Sequence, residues 1–172
     1  MQPIEGDILP FSEYLELTAK PIAEPVVWRW QAIESETRLR AHNPQGTLAL
    51  SGGNVDEHGT VAPDISLVIQ VLKPSEMTER HRHSFWHLYI ARSGSGELAF
   101  GEDGVTERIE SGDTVFVPAW CYHTIANCSD SEPFVLYRLQ NLPQNASGGN
   151  LMREIGGKLQ IIYANPGLAT HR

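Results

Sequence analysis

Residues 81–89 read HRHSFWHLY and place three histidines within seven positions. Side chains alternate between the two faces of a β-strand, so a strand over His81–Ala91 puts His81, His83 and His87 on the same face. An isolated pair of histidines two residues apart is more often a hydrogen-bonded part of a core than a metal site. A third histidine on the same strand face favours a metal site if another segment supplies a further ligand.

A second segment supplies that ligand. Residues 112–118, GDTVFVP, predict a turn, a short apolar strand and a proline exit, after which His123 begins the next strand. Two imidazoles from one strand and one from a neighbouring strand occupy one side of a coordination sphere and leave positions open. Imidazole nitrogen suits iron, copper, nickel and zinc. The two segments therefore predict a transition-metal site with room for a small molecule.

Length and composition predict one globular domain. The chain has 172 residues, of which 41% are hydrophobic and 20% are charged, which suffices for a proper core. Its net charge of −8 disfavours nucleic acid and anionic membrane surfaces as partners. We expect neither a secretory signal nor a membrane-spanning segment, because charged or polar residues interrupt every apolar run. These features predict a cytoplasmic protein.

The remaining pattern predicts an all-β domain with one short helix after Ser12. Runs of β-branched and aromatic residues alternate with glycine, proline and asparagine, and they predict antiparallel pairing of successive strands. A loop is predicted at 143–150, and a short helix or a last strand near 159–163. The predicted strands are Val26–Trp30, Arg38–Ala41, Thr47–Ser51, Ser66–Leu72, His81–Ala91, Glu97–Phe100, Val105–Ile109, Thr114–Val117, His123–Ala126 and Phe134–Gln140.

Together the two histidine segments resemble the two sequence motifs of the cupin superfamily, which are small β-barrels with a metal in the mouth. The matching positions are His81, His83, His87 and Gly94 in the first motif, and Gly112, Pro118, His123 and Asn127 in the second. The resemblance implies a double-stranded β-helix, or jelly-roll barrel, over 46–142. An N-terminal arm with a short helix and first strands (1–45) and a C-terminal extension (143–172) would pack on it.

The resemblance also implies a ligand set, with one departure. Most cupins carry glutamate at the third ligand position, where this chain has His87. Either four histidines bind the metal, namely His81, His83, His87 and His123, or three bind it and His87 lies beside them as an acid/base group.

Within the superfamily the chain resembles the gentisate 1,2-dioxygenase-like group, which opens aromatic rings with ferrous iron held by three histidines. The segments that carry this resemblance are Val27–Trp30, the stretch ending at Pro44, His81–Ser84, and Gly112–Pro118 continued by Trp120 and His123. The chain looks like one barrel of that two-barrel family. The resemblance implies a small aromatic or enol substrate and Fe(II), with Mn, Ni or Zn as alternative metals.

Two departures affect the substrate. The group carries a carboxylate-binding arginine where this chain has Tyr89, and a second histidine where it has Ile125. Arg82, Arg92 or Arg138 could replace the missing charge, although Arg82 is predicted on the opposite strand face. We expect the substrate pocket to be lined by Phe85, Tyr89, Trp120 and Ile125.

Tyr89 supports an alternative chemistry. Cupin lyases are similar in carrying a tyrosine at this position as a base, so a non-oxidative lyase or isomerase is the second hypothesis. A ligand-binding cupin without catalysis is the third.

The other face of the histidine strand is apolar and needs a cover. It presents Trp86, Leu88 and Ile90. Either the N-terminal arm or a second subunit could cover this face, and we expect a homodimer. A monomeric mass by light scattering would contradict the homodimer.

Overall fold

The computed structural model describes residues 10–18, 25–52 and 60–161. In this part of the chain most of the regular structure is β-strand. The elements, in chain order, are α1 (Phe11–Thr18), α2 (Trp30–Leu39), β1 (Leu48–Leu50), β2 (Ser66–Leu72), β3 (His81–His83), β4 (His87–Ser93), β5 (Ser95–Phe100), β6 (Val105–Glu110), β7 (Thr114–Val117), β8 (His123–Asn127), β9 (Phe134–Gln140), α3 (Leu142–Ser147), β10 (Met152–Ile155) and β11 (Lys158–Ile161).

The strands form two antiparallel sheets that enclose the core. One sheet has the order β1-β2-β9-β4-β7, and the other has the order β11-β10-β3-β8-β5-β6. A cluster of buried side chains from both sheets fills the space between them, including Leu72, Leu98, Ile125 and Phe134. The predicted all-β jelly-roll fold is confirmed. The predicted pairing of successive strands is wrong for most of the fold, because only β1–β2, β5–β6 and β10–β11 are neighbours in both sequence and sheet.

The histidine segment is two strands, and this corrects the prediction of one. The chain bends at 84–86, so β3 belongs to the six-stranded sheet and β4 to the five-stranded sheet. At the bend the Ser84 hydroxyl donates to the carbonyl of Asn150 (2.6 Å), and the Trp86 amide donates to Oδ1 of Asn141 (2.9 Å). The alternation nevertheless continues through the bend, since every odd residue from His81 to Tyr89 is buried.

The N-terminal strands predicted at Val26–Trp30 and Arg38–Ala41 are wrong. The structure has α2 between them, with Ile33 buried against the barrel. Ion pairs one helical turn apart, Glu34–Arg38 (3.2 Å) and Glu36–Arg40 (2.8 Å), favour this helix. The run Val26–Trp30 has the β-branched and aromatic composition of a strand, whereas Arg38–Ala41 contains neither type of residue.

The C-terminal residues also contain more structure than predicted. The loop expected at 143–150 includes most of α3, which begins just after β9. Downstream, β10 pairs with β3 and β11 pairs with β10, so this hairpin extends the six-stranded sheet. In the described ranges no helix is both long and apolar enough to cross a membrane.

Asn127 ties the end of β8 to two neighbouring segments. Its side-chain nitrogen donates to the carbonyls of Leu72 (3.1 Å), Lys73 (3.0 Å) and Glu132 (2.8 Å). Its side-chain oxygen accepts from the amide of Ser129 (3.0 Å). Because the residue is almost fully buried, these groups have little access to water if the side chain is removed.

We expect Asn127→Ala to destabilise the barrel by about 2–3 kcal/mol, because it leaves buried backbone groups without partners. Chemical denaturation would measure the change in the free energy of unfolding. The control is Asn150→Ala at an exposed side chain, which should change that free energy by about 0.5 kcal/mol or less. Equal stability of the two variants would contradict this account of Asn127.

Candidate metal centre

Three histidines converge inside the barrel. His81 and His83 lie on β3, and His123 lies on β8 directly opposite His81 in the antiparallel ladder. One potential ligand atom from each ring falls within 4.8 Å of the others. The ring centroids of His81 and His123 are 4.4 Å apart, and those of His83 and His123 are 4.9 Å apart. The backbone pairing itself therefore brings ligands from two strands to one point.

Backbone carbonyls orient all three rings in the same way. The Nδ1 atoms of His81, His83 and His123 face the carbonyl oxygens of Glu79 (2.6 Å), Phe85 (2.6 Å) and Cys121 (3.0 Å). A carbonyl only accepts, so each Nδ1 carries the proton and donates it. Each Nε2 then keeps a lone pair, which is the usual arrangement of metal-binding histidines. The Nε2 of His123 is buried and has no hydrogen-bond partner.

Burial keeps these imidazoles neutral. It lowers the pKa of His81 to about 3, that of His83 to about 2 and that of His123 to about 4. A metal binds the neutral form of imidazole, so no proton has to leave these rings near pH 7. The charge state, the tautomers and the unpartnered nitrogen all fit a bound transition metal.

His87 lies beside this group, and its contacts differ from those of the other three. Its Nε2 is 2.5 Å from the Nε2 of His83, and its Nδ1 is buried without a hydrogen-bond partner. No backbone carbonyl therefore fixes its tautomer within the described residues. His87 is also outside the group of three whose ligand atoms lie within 4.8 Å.

The four predicted pocket residues have different surroundings. Phe85 stacks on His83 at 3.8 Å between ring centroids, while Tyr89 and Ile125 are buried in the core cluster. Trp120 is 39% exposed, and its ring lies 5.9 Å from the guanidinium of Arg82. The place of all four residues in a substrate pocket stays a prediction.

Of the interior polar side chains around the histidines, only Arg138 was predicted from the sequence as a possible substrate-binding group. Several buried polar atoms in the described part of the chain have no hydrogen-bond partner and belong to strands around the histidines. They are Oγ of Ser66, Oε1 of Gln140, Nε of Arg138 and Nε of Arg153. Ser66, Gln140 and His87 lie in one row across β2, β9 and β4. The signal was present in the sequence, since Arg138 and Gln140 occupy the phase of the buried Leu136.

A separate groove of about 770 Å³ lies between α2 and β1. Its lining includes Trp28, Ile33 and Leu48, and it contains none of the barrel histidines. The candidate site is therefore assigned from the histidine chemistry and not from the groove.

Comparison with known families matches the barrel. Residues 68–139 match the family described as cupin domain, and this stretch contains all four histidines of the centre. Among curated proteins, the 5-aminosalicylate 1,2-dioxygenase of a Comamonas species is 28% identical over 154 residues, which cover 86% of this chain and 38% of the relative. The gentisate 1,2-dioxygenase of a Streptomyces species is 27% identical over 123 residues, which cover 67% of this chain and 34% of the relative.

Solved structures agree with this fold. A single-site mutant of salicylate 1,2-dioxygenase from Pseudoaminobacter salicylatoxidans superposes with a TM-score of 0.69 at 26% identity, over 94% of this chain and 48% of that one. The same enzyme with gentisate superposes with a TM-score of 0.68 at 19% identity, over 84% of this chain and 41% of that one. The chain thus spans less than half the length of these relatives. The predicted cupin fold and the resemblance to gentisate 1,2-dioxygenase-like proteins are confirmed.

We expect His123→Ala to remove most of the metal, because it deletes one of three converging nitrogens. Wild-type chain loaded with a divalent transition metal and desalted should retain about one ion per chain, and the variant less than about a tenth of that, by elemental mass spectrometry. The control is His42→Gln, since His42 contacts Glu76 and is not among the three. Full retention by His123→Ala would contradict the ligand assignment.

His87→Ala tests the fourth histidine separately. Because His87 is outside the group of three, we expect this variant to retain most of its metal in the same measurement. A loss as large as that of His123→Ala would instead establish a four-histidine site.

Proposed function

We propose that this chain, which contains a cupin domain over residues 68–139, is an Fe(II)-dependent dioxygenase that acts on a small aromatic or enol substrate. The reaction would resemble gentisate or salicylate ring cleavage, in which both atoms of dioxygen enter the product and a ring carbon–carbon bond breaks. The observation that carries the proposal is the group of three neutral imidazoles whose Nε2 atoms converge inside the barrel.

The donor set supports the choice of iron. His81, His83 and His123 offer three nitrogens and leave coordination positions open, an arrangement that also suits Mn, Ni or Zn. The relatives named above are all 1,2-dioxygenases, which favours Fe(II). His81, His83 and His123 would hold the Fe(II) ion, which two adjacent substrate oxygens would chelate and which would supply the redox chemistry between substrate and dioxygen.

The residues around the centre would bind and orient the substrate. We propose Phe85, Tyr89, Trp120 and Ile125 as its walls, since Phe85 lies against His83 and Ile125 follows His123 by two positions. Apolar walls with few polar groups are usual for small-molecule sites, and they keep water away from the reacting atoms.

His87 and Tyr89 are the proposed catalytic side chains. Both face the interior from β4, with ring centroids 5.2 Å apart. Burial raises the pKa of the Tyr89 phenol, so the hydroxyl keeps its proton near pH 7 and can donate a hydrogen bond to substrate. In the lyase hypothesis the same hydroxyl would have to lose its proton.

We also propose that the chain forms a homodimer through the outer face of β4 and β7. The ring of Trp86 lies 6.0 Å from that of Phe116, and Phe116 is 58% exposed. A self-complementary contact would remove this aromatic surface from water. A monomeric mass by light scattering would contradict the dimer.

The proposed activity predicts dioxygen consumption by the iron-loaded chain. Protein purified without oxygen and loaded with Fe(II) should consume one molecule of dioxygen for each molecule of substrate converted, as measured with an oxygen electrode. We expect this with one or more catechols, hydroxybenzoates or diketones. Zinc-loaded protein is the control and should consume none, because zinc has no redox chemistry.

The other outcomes separate the remaining hypotheses. Release of an alkene or acrylate without oxygen uptake would contradict the dioxygenase and support the lyase. Tight binding of these compounds without turnover would contradict both enzymes and support a ligand-binding protein.

A further inference from the structure

Arg138 is an interior cation on β9. It lies directly opposite Tyr89 of β4 and Val68 of β2 in the ladder, and residues opposite one another in a sheet share a face. Its Nη1 donates to the carbonyl of Gln45 (2.6 Å) and to Oε1 of Gln70 (3.3 Å). Its charge acts on the phenol of Tyr89, which faces it across the ladder. All of these partners are neutral.

The charge of Arg138 has no carboxylate to balance it within the described residues. The ion pairs found there involve other arginines, and the buried Nε of Arg138 has no hydrogen-bond partner. Burial lowers the pKa of Arg138, although a guanidinium stays protonated at neutral pH. A buried cation without a counter-ion is costly unless a bound anion compensates it.

A second arginine approaches the same place from the opposite sheet. Arg153 lies on β10 opposite His83, and its Nε is also buried without a hydrogen-bond partner. The charges of Arg138 and Arg153 both act on His81 and His123. The carboxylate of Glu79 offsets part of the charge of Arg153, whereas no carboxylate among the described residues acts on Arg138.

The other arginines considered for this role lie elsewhere. Arg82 faces outward and forms an ion pair with Glu154 at 2.8 Å. The guanidinium of Arg92 is exposed and lies 4.8 Å from the ring centroid of Trp30. Of the three, only Arg138 is on the interior face.

We propose that Arg138 binds the carboxylate of a small aromatic acid and so determines which substrates enter the site. The positive charge is then supplied from β9, across the ladder from the tyrosine on β4. The choice of an aromatic acid rests on the proposed function, whereas the anion-binding role rests on the unbalanced guanidinium.

Tyr89 completes this anion site. Tyr89 lies opposite Arg138 in the ladder, and its hydroxyl keeps its proton near pH 7, so it can donate that proton to a ligand. A guanidinium N–H and a phenol O–H together provide two donors for one carboxylate, and hydrogen bonds to an ionised acceptor are the stronger kind.

Benzoate and benzamide test the proposal, because they have nearly the same shape and differ in charge. Isothermal titration calorimetry on the full chain, with and without added metal, would measure both affinities. Wild-type protein should bind benzoate at least about tenfold more tightly than benzamide in both forms. Arg138→Gln should reduce this preference to about twofold or less, and Arg138→Lys should retain part of it.

The control is Arg108→Gln, which removes an exposed arginine paired with Glu110 and should leave the preference unchanged. A purely structural role of Arg138 would weaken both ligands equally, so an unchanged ratio in Arg138→Gln would overturn the proposal, as would a wild-type chain without any preference. If Arg138→Gln does not fold, Arg138→Lys decides, and equal affinity of that variant for both ligands overturns the proposal.

The anion site and the proposed dioxygenase activity can be rejected independently of each other. Neither ligand is a substrate for ring cleavage, so a preference for benzoate without dioxygen uptake from any compound would retain the anion site and reject the dioxygenase. Dioxygen uptake without a preference for benzoate would do the reverse.

Discussion

The centre depends on three hydrogen bonds in which backbone carbonyls accept the Nδ1 protons of His81, His83 and His123. Each bond fixes a tautomer and turns an Nε2 lone pair toward the interior. The acceptors lie two residues away in the chain, just beyond the ends of β3 and β8, so the segments that flank the ligand strands orient the rings. The barrel therefore does not need a shell of acidic side chains to hold its imidazoles, and within the described residues no carboxylate pairs with Arg138.

Strand periodicity was sufficient to predict which side chains enter the barrel. The odd residues from His81 to Tyr89 face inward although the chain changes sheets between them. The bend at 84–86 could not be read from the same pattern, because its hydrogen bonds come from Asn141 and Asn150, far along the chain. Alternation is a local property, whereas the choice of sheet is decided by long-range partners.

The same distinction between local patterns and long-range partners explains which elements were predicted wrongly. In α2 the opposite charges four residues apart were a local helix signal, but the run Val26–Trp30 at its start matches strand composition equally well. The hairpin of β10 and β11 pairs with β3, so its position depends on contacts that no local pattern contains. Arg138 was recognised as a possible substrate-binding charge, yet its placement required the register of β9 against β4.

That register has a chemical consequence for the site. Residues opposite one another on neighbouring strands occupy nearly the same position in the barrel, so a cation on β9 can act where a cation on β4 would act. Its approach differs, however, because Arg138 is held by Gln45 and Gln70 from the β2 side. Gln70 lies opposite Leu136, on the other side of Arg138 from the row of Ser66 and Gln140, whose side-chain oxygens are buried without partners. A substrate that also offers donors to these oxygens, such as a ring hydroxyl or amine, would satisfy both kinds of interior group.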